Sequence, residues 1–174
     1  MKVIEKVQHG NLHHKSTLVK KVLIAVDYSF TSQKVVESGY AVAKAMNAEV
    51  ILLHVFTDPS YYTSLAEYPM ILFSDFSSTE YFKYVNENGM ARASQYFLER
   101  YKLLLGDQSI ETIAEEGSFA DVILEIAEHK HVDLVVMGTH SMRWLEQVVM
   151  GSVTETVLRK AHIPLLIIPT KKVN

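Results

Sequence analysis

The sequence predicts an α/β domain built around a parallel sheet. Two observations support this prediction. Short, continuous apolar runs recur along the chain between polar or glycine residues, as expected for strands buried on both faces. Segments with helical spacing of apolar residues lie between these runs, so helices connect successive strands in right-handed crossovers. With 174 residues, 48% of them hydrophobic, the chain is long enough to bury about 70% of its unfolded surface in one domain.

The first part of the chain contains two predicted strands, residues 22–26 and 49–55, with Asp27 directly after the first. A helix that covers the sheet is predicted between them. Its apolar face comprises Val35, Gly39, Val42 and Met46. His54 lies near the end of the second strand, but a lone histidine with no nucleophile nearby is more often structural than catalytic.

The middle of the chain predicts a long helix over residues 81–105 that ends at Gly106, and a weaker strand over residues 109–114. The apolar stripe of the long helix comprises Phe82, Val85, Ala93, Phe97 and Leu104. Ser118 and Asp121 indicate the start of the next helix. Its inward face comprises Phe119, Val122, Ile123 and Ile126.

The C-terminal third has the layout of a cradle for an anionic ligand. A buried strand, residues 134–137, leads into Gly138, which tolerates a positive φ and lets backbone amides approach a ligand. Gly151 then precedes Ser152 and Glu155, a capping-box pattern that predicts a helix over about residues 153–161. Its free N–H groups would point towards Gly138. A serine N-cap is also ordinary helix chemistry, and Glu155 would repel a phosphate unless it turns aside.

Two segments lie outside the repeating pattern. Residues 57–79 form a long aromatic-rich connection at the ligand side, interpreted either as a lid or partner surface or as simple packing. Residues 1–19 are an N-terminal extension to a single domain over residues 20–172. The histidines of that extension, His9, His13 and His14, are not accompanied by a carboxylate or cysteine at a recognised metal-binding spacing.

Composition excludes several functional classes. The net charge is −3 with dispersed Lys and Arg, so no nucleic-acid or membrane partner is expected. The chain has no cysteine and therefore no disulfide or thiol nucleophile. It shows neither a signal peptide nor a spanning segment, and a cytoplasmic location is expected. The phosphate-binding motif G-x4-G-K-[ST] and the dinucleotide motif G-x-G-x-x-G are absent, and no residue is assigned a catalytic role.

Three separate motifs resemble the universal stress protein family. Gly138, Ser141 and the pair Gly151-Ser152 have the spacing of its ATP-binding signature, G-x2-G-x9-G-[ST], with Ser141 in place of the middle glycine. The first strand ending in Asp27 and the second strand, which includes Val55, are similar to the family's upstream motifs. The resemblance covers about residues 20 to 170.

The resemblance implies a three-layer open sandwich with a five-stranded parallel sheet in the order 3-2-1-4-5, an adenine nucleotide alpha hydrolase-like or Rossmann-like fold. It implies that Asp27 contacts ribose or base and that the Val55 backbone meets adenine. The full implied nucleotide site comprises Ala25, Val26, Asp27, Val55, Met137, Gly138, Ser141, Arg143, Gly151, Ser152, Val153 and Thr154. The implied ligand is ATP, or else ADP or AMP, with Mg or Mn at the phosphates.

The implied function is that of a nucleotide-responsive regulator or protective factor in the stress response, with an unknown protein partner and at most slow ATP hydrolysis. The family also implies a homodimer through the last strand, residues 163–168, from Ile163 to Ile168, which would cover an apolar edge. Ser141 and Trp144 depart from the family pattern. They leave open an alternative, a nucleotide-free dimeric interaction module in which these side chains close the pocket.

Overall fold

The structure is a computed structural model that describes residues 18–29, 31–57, 89–139 and 151–170. Several expectations lie outside these ranges. They concern the N-terminal histidines, nearly all of the aromatic-rich segment 57–79, the first part of the long helix, and Ser141, Arg143 and Trp144.

Five strands and four helices alternate along the described ranges. The strands are β1 (Lys21–Val26), β2 (Glu49–Phe56), β3 (Glu111–Glu116), β4 (Leu134–Gly138) and β5 (Leu165–Ile168). The helices are α1 (Ser32–Ala45), α2 (Gly89–Leu105), α3 (Phe119–His129) and α4 (Ser152–Lys160).

The strands form one parallel sheet in the order β3-β2-β1-β4-β5, which confirms the predicted topology. Strand order reverses between β1 and β4, so this pair is the topological switch point where open α/β sheets bind ligands. Ile24 of β1 pairs with Val136 of β4. Continuing that register by two residues places Val26 opposite Gly138 at the carboxyl edge.

Helices cover both faces of the sheet, which makes three layers. Val22 and Ile24 of β1 pack into a core that includes buried residues of α1 and α2. Leu23, which points the other way, packs into a second core that includes buried residues of α3 and α4. Since successive side chains of a strand alternate between faces, the continuous apolar runs correspond to burial on both sides.

The close contact of α1 with the sheet depends on Gly39. A Cβ at this position would lie 2.9 Å from Ile24 Cδ1 and 3.1 Å from Val136 Cγ1, so the helix backbone approaches both strands without an intervening side chain. The prediction that Met46 belongs to the same inward face was wrong. Met46 is the C-cap of α1 and is 42% exposed, because the helix ends there and no longer faces the sheet.

The long helix also ends differently from its predicted stripe. Gly106 terminates it with a φ of +65°, as predicted, and its N–H donates to the Leu103 carbonyl oxygen. Leu104, however, is 72% exposed and Leu103 is 67% exposed, whereas Leu105 packs against the core, so the inward side of the last turn of α2 is that of Leu105. The assignment of Leu104 to the inward face was therefore wrong.

Two strands begin later than predicted. β3 covers Glu111–Glu116 rather than residues 109–114. Ile110 is buried but lies in the preceding turn, where its N–H donates to the Asp107 carbonyl oxygen. β5 covers Leu165–Ile168 rather than residues 163–168. The helices in the described ranges include none that is long and apolar enough to cross a membrane.

Candidate ligand site at the carboxyl edge of the sheet

The ends of β1, β2 and β4 meet at one edge and bring together much of the predicted site. Val26, Val55 and Met137 lie there with their side chains buried in the two cores. Ala25 is half-buried and packs against the second core. At this edge these residues therefore present their backbone rather than their side chains.

Helix α4 begins directly beside the end of β4. Its N-cap is Gly151, with φ −69° and ψ 150°, and Ser152 is the first helical residue. The Gly151 N–H donates to the Thr139 carbonyl oxygen at 2.6 Å. This hydrogen bond joins the two ends of the connection formed by residues 140–150, and it fixes the helix start against the sheet edge.

The predicted capping box was wrong. Ser152 lies inside the helix, and the N-cap Gly151 has no side chain that could bond back to the helix. The Glu155 carboxylate accepts from Arg159 Nη2 at 2.7 Å, one turn further along α4. Glu155 therefore points along the helix and neither caps the helix start nor occupies it.

Among the described residues, no side chain caps the positive end of α4 at the switch point. An α-helix leaves its first N–H groups without intrahelical acceptors. In α4 these groups belong to Ser152, Val153 and Thr154, and the aligned peptide dipoles add roughly half a positive charge there. Backbone donors and dipole together suit an anionic group such as phosphate.

A network of threonines anchors this arrangement. Thr139 donates its N–H to the Ile168 carbonyl oxygen at 3.0 Å, and its Oγ1 accepts from the Thr170 N–H at 3.1 Å. The buried Thr154 hydroxyl donates to the Gly138 carbonyl oxygen at 2.9 Å. Sequence reasoning missed Thr139, although a polar residue directly after a buried strand and its glycine was a signal that could have found it.

Gly138 does not use the left-handed conformation that a glycine permits. It is the last residue of β4 and pairs with Ile168 of β5. Within the described ranges, positive φ values at glycine occur at Gly106 and Gly117. Gly138 would therefore serve a ligand only by the close approach that its backbone allows in the absence of a Cβ.

Asp27 directly follows β1 at the carboxyl edge of the sheet, and one of its oxygens organises the following turn. Oδ1 accepts from the Ser29 N–H at 3.1 Å and from the Ser32 hydroxyl at 2.8 Å. Ser32 is the first residue of α1, so Asp27 fixes the start of that helix. Its other oxygen, Oδ2, has no hydrogen-bond partner among the described residues.

His54 is part of the core beneath the edge. Its ring is 1% exposed and packs on Tyr28 and Phe97, with ring centroids 4.1 Å and 5.4 Å away. Nδ1 has no hydrogen-bond partner within the part of the chain that the structure describes. Burial lowers the pKa of His54 to about 3, so the ring is neutral at physiological pH. This placement agrees with the structural role predicted for it.

The described part of this edge contains no cluster of metal-ligand side chains. In the described ranges, no group of three or more His, Cys, Asp or Glu side chains is arranged to hold a metal ion. Ser141 and Arg143, which complete the predicted nucleotide site, lie outside these ranges.

The sheet order and this edge define a class of protein, the doubly wound α/β proteins with a crevice at the switch point. The model of the universal stress protein family matches residues 19–169. The chain therefore belongs to the universal stress protein family.

Individual relatives agree with this assignment. Universal stress protein MJ0531 of Methanocaldococcus jannaschii is 31% identical over 164 residues, which cover 92% of this chain and 88% of the relative. The solved structure of MJ0577, described as a hypothetical protein in a structure-based assignment of biochemical function, is 28% identical. It matches with a TM-score of 0.66 and covers 90% of this chain and 99% of its own.

A universal stress protein in complex with cAMP matches with a TM-score of 0.58. It is 21% identical and covers 89% of this chain and all of its own, so this likeness shows the shared fold.

Proposed function

We propose that this chain binds ATP at the carboxyl edge of the sheet and acts in the cytoplasm as a nucleotide-responsive regulator or protective factor in the stress response. The observation that carries the proposal is the start of α4. Gly151 holds this helix end against Thr139 at the switch point, and no side chain of the cap occupies its backbone donors.

The phosphates are assigned to this helix end. The N–H groups of Ser152, Val153 and Thr154 supply donors, and the helix dipole favours the negative charge. Glu155 does not oppose a phosphate there, because its carboxylate is paired with Arg159. In the proposal, Ser141 and Arg143 add contacts from the connecting segment, as the family signature implies.

The nucleoside is assigned to the ends of β1 and β2. The free Asp27 Oδ2 is an acceptor suited to a ribose hydroxyl, while Oδ1 keeps the carboxylate in position through Ser29 and Ser32. Val55 offers backbone polar groups to adenine because its side chain is buried. The solved family member in complex with cAMP, although distant, gives independent support for an adenine nucleotide in this fold.

Two further parts of the proposal concern a metal ion and a partner subunit. Mg or Mn would be bound by phosphate oxygens, as is usual for Mg²⁺ at nucleotide sites. A homodimer would form through β5, where Leu165, Leu166 and Ile167 are only half-buried at the sheet edge. Pairing with a second copy would satisfy the open backbone groups of that edge.

The test is calorimetric titration of Mg-ATP into the parent protein and two variants. Gly151→Asp places a carboxylate at the helix end, and Gly151→Asn places a neutral side chain of the same shape there. Both residues are favourable N-caps, and the extended φ and ψ of Gly151 are open to any residue, so both variants are expected to fold.

We expect the parent to bind, Gly151→Asp to lose at least tenfold in affinity, and Gly151→Asn to lose less, since only aspartate repels phosphate. Equal losses in the two variants would exclude an electrostatic role for the helix end. Absence of binding by the parent would refute the nucleotide site and favour the interaction module. Solution scattering at micromolar concentration tests the homodimer, which a monomeric mass would refute.

A further inference from the structure

The strand register places an acidic side chain beside the proposed base site. Glu115 of β3 pairs with Val55 of β2, one strand further from the switch point. Ile113 of β3 packs with the second core, and Ala114 packs with the first. Because side chains alternate along a strand, Glu115 extends on the same face as Ile113 and Val55. That face also bears α4.

Within the described ranges no ion pair or hydrogen bond occupies Glu115, in contrast to Glu111 and Asp121. Glu111, at the opposite end of β3, is paired with Lys130 at 2.5 Å, and Asp121 of α3 is paired with Lys160 at 2.8 Å. Glu115 is exposed, and an ionised carboxylate accepts hydrogen bonds but donates none. Its position is firm, since the Gly117 N–H donates to the Phe56 carbonyl oxygen and closes the β3–β2 pair.

We propose that Glu115 determines the base specificity of the site by accepting a hydrogen bond from the exocyclic amino group of adenine. The inference rests on the proposed nucleotide function and adds the means of selection. Adenine presents an amino donor at its six-position, whereas guanine and hypoxanthine present a carbonyl oxygen there. A carboxylate attracts the first group and repels the second, so Glu115 selects adenine in both ways.

The spacing of the strands keeps this carboxylate away from the phosphates. From β3 to β4 the sheet order crosses three strand intervals, which is about 14 Å at the usual spacing. A nucleotide lying along the edge, with its phosphates at the start of α4, directs its base towards β2 and β3. Negative charge on Glu115 thus meets the base, whose amino group is a donor, and the helix end meets the anionic phosphates.

Glu116 provides a matched control from the same strand. It is equally acidic and exposed, but alternation directs it to the face that carries α1 and α2. Its substitution changes the net charge by the same amount without changing the acceptor beside Val55. A general electrostatic effect of the strand end would therefore appear in both variants.

The experiment measures the affinities of Mg-ATP and Mg-inosine triphosphate for the parent, Glu115→Gln and Glu116→Gln. We expect the parent to prefer ATP by at least about tenfold. Glu115→Gln should reduce this preference to within about threefold, since a glutamine amide can accept from an amino group or donate to a carbonyl. Glu116→Gln should keep the parental ratio.

The proposal is overturned if Glu115→Gln keeps the parental ratio, if Glu116→Gln reduces it equally, or if the parent does not prefer ATP. All three outcomes leave nucleotide binding itself intact. A parent protein that binds neither nucleotide would refute the proposed function along with this inference, so the two failures are distinguishable.

Discussion

Replacing His54 with phenylalanine should make the protein more resistant to acid. His54 is fully enclosed between Tyr28 and Phe97, and burial lowers the pKa of His54 to about 3. In the unfolded chain the pKa of a histidine is about 6.5. Between these two values the unfolded state binds a proton that the folded state excludes. The free energy of unfolding must therefore fall as the pH drops below 6.5.

The size of this loss follows from the pKa difference. Each pH unit between the two values changes the free energy of unfolding by about 1.4 kcal/mol. Lowering the pH from 7.5 to 5 crosses about 1.5 units of that window and removes roughly 2 kcal/mol. This is a large fraction of the stability of a typical domain. Asp107 and Asp121 are carboxylates whose pKa is lowered in the folded protein. Their contribution to the free energy of unfolding is lost at a pH below the range of 7.5 to 5.

The assay is chemical denaturation of the parent and His54→Phe at several pH values from 7.5 to 5. Phenylalanine has a similar shape and joins the same ring cluster, so the variant should fold and lose less stability on acidification by about 2 kcal/mol. Tyr28→Phe is the control. It removes the 2.9 Å hydrogen bond between Tyr28 and Ser94 but leaves the histidine, and its dependence on pH should match the parent. Parallel pH profiles for parent and His54→Phe would refute the reasoning.

Two other substitutions test how the site is supported. Gly39→Ala should lower the free energy of unfolding by about 1 kcal/mol or more, because the cost of overpacking against Ile24 and Val136 exceeds the helix-propensity gain of alanine. An increase in stability would contradict the close contact between α1 and the sheet. Thr139→Val should cost about 1–2 kcal/mol, since the Thr170 N–H loses its acceptor, whereas Thr139→Ser should cost less. Denaturant midpoints measure both, and equal effects of valine and serine would exclude the hydroxyl contact.

Local patterns were sufficient for the strands that are buried on both faces. The apolar runs that correspond to β1, β2 and β4 predicted each strand end to within one residue, because the central side chains of such strands are apolar on both faces. β3 was displaced because it is an edge strand that carries Glu111, Glu115 and Glu116. An edge strand needs fewer apolar residues, so the buried Ile110 just outside it was a misleading marker.

Helical periodicity gives only an approximate direction around the axis, and it does not show where a helix stops contacting the sheet. Leu104 has the spacing of the predicted stripe of α2, yet in the last turn it is Leu105, and not Leu104, that packs against the core. Met46 has the spacing of the inward face of α1, but it is the C-cap, where the helix ends. The strand order was not available from local pattern at all, and it came from the family resemblance. Long-range pairing is decided by contacts that the linear sequence does not display.

Long-range contacts also explain why the capping box predicted at the start of α4 was wrong. Ser152 and Glu155 have the spacing of a capping box, but the Thr139 carbonyl oxygen binds the Gly151 N–H and moves the cap back by one residue. Arg159 then holds Glu155 along the helix. A local motif was overridden by a partner twelve residues upstream (151 − 139 = 12) and by a cation one turn downstream. Among the described residues, neither side chain of the predicted capping box then occupies the helix end.

The anchors of this helix end also bear on Ser141, the departure from the family signature. Gly151 is held by a backbone hydrogen bond to Thr139, and Thr154 is held by the Gly138 carbonyl oxygen. None of these contacts involves residue 141. The anchors that hold α4 against the sheet are therefore independent of residue 141. If the parent protein binds no nucleotide, we expect the cause to lie elsewhere than in the position of α4 against the sheet.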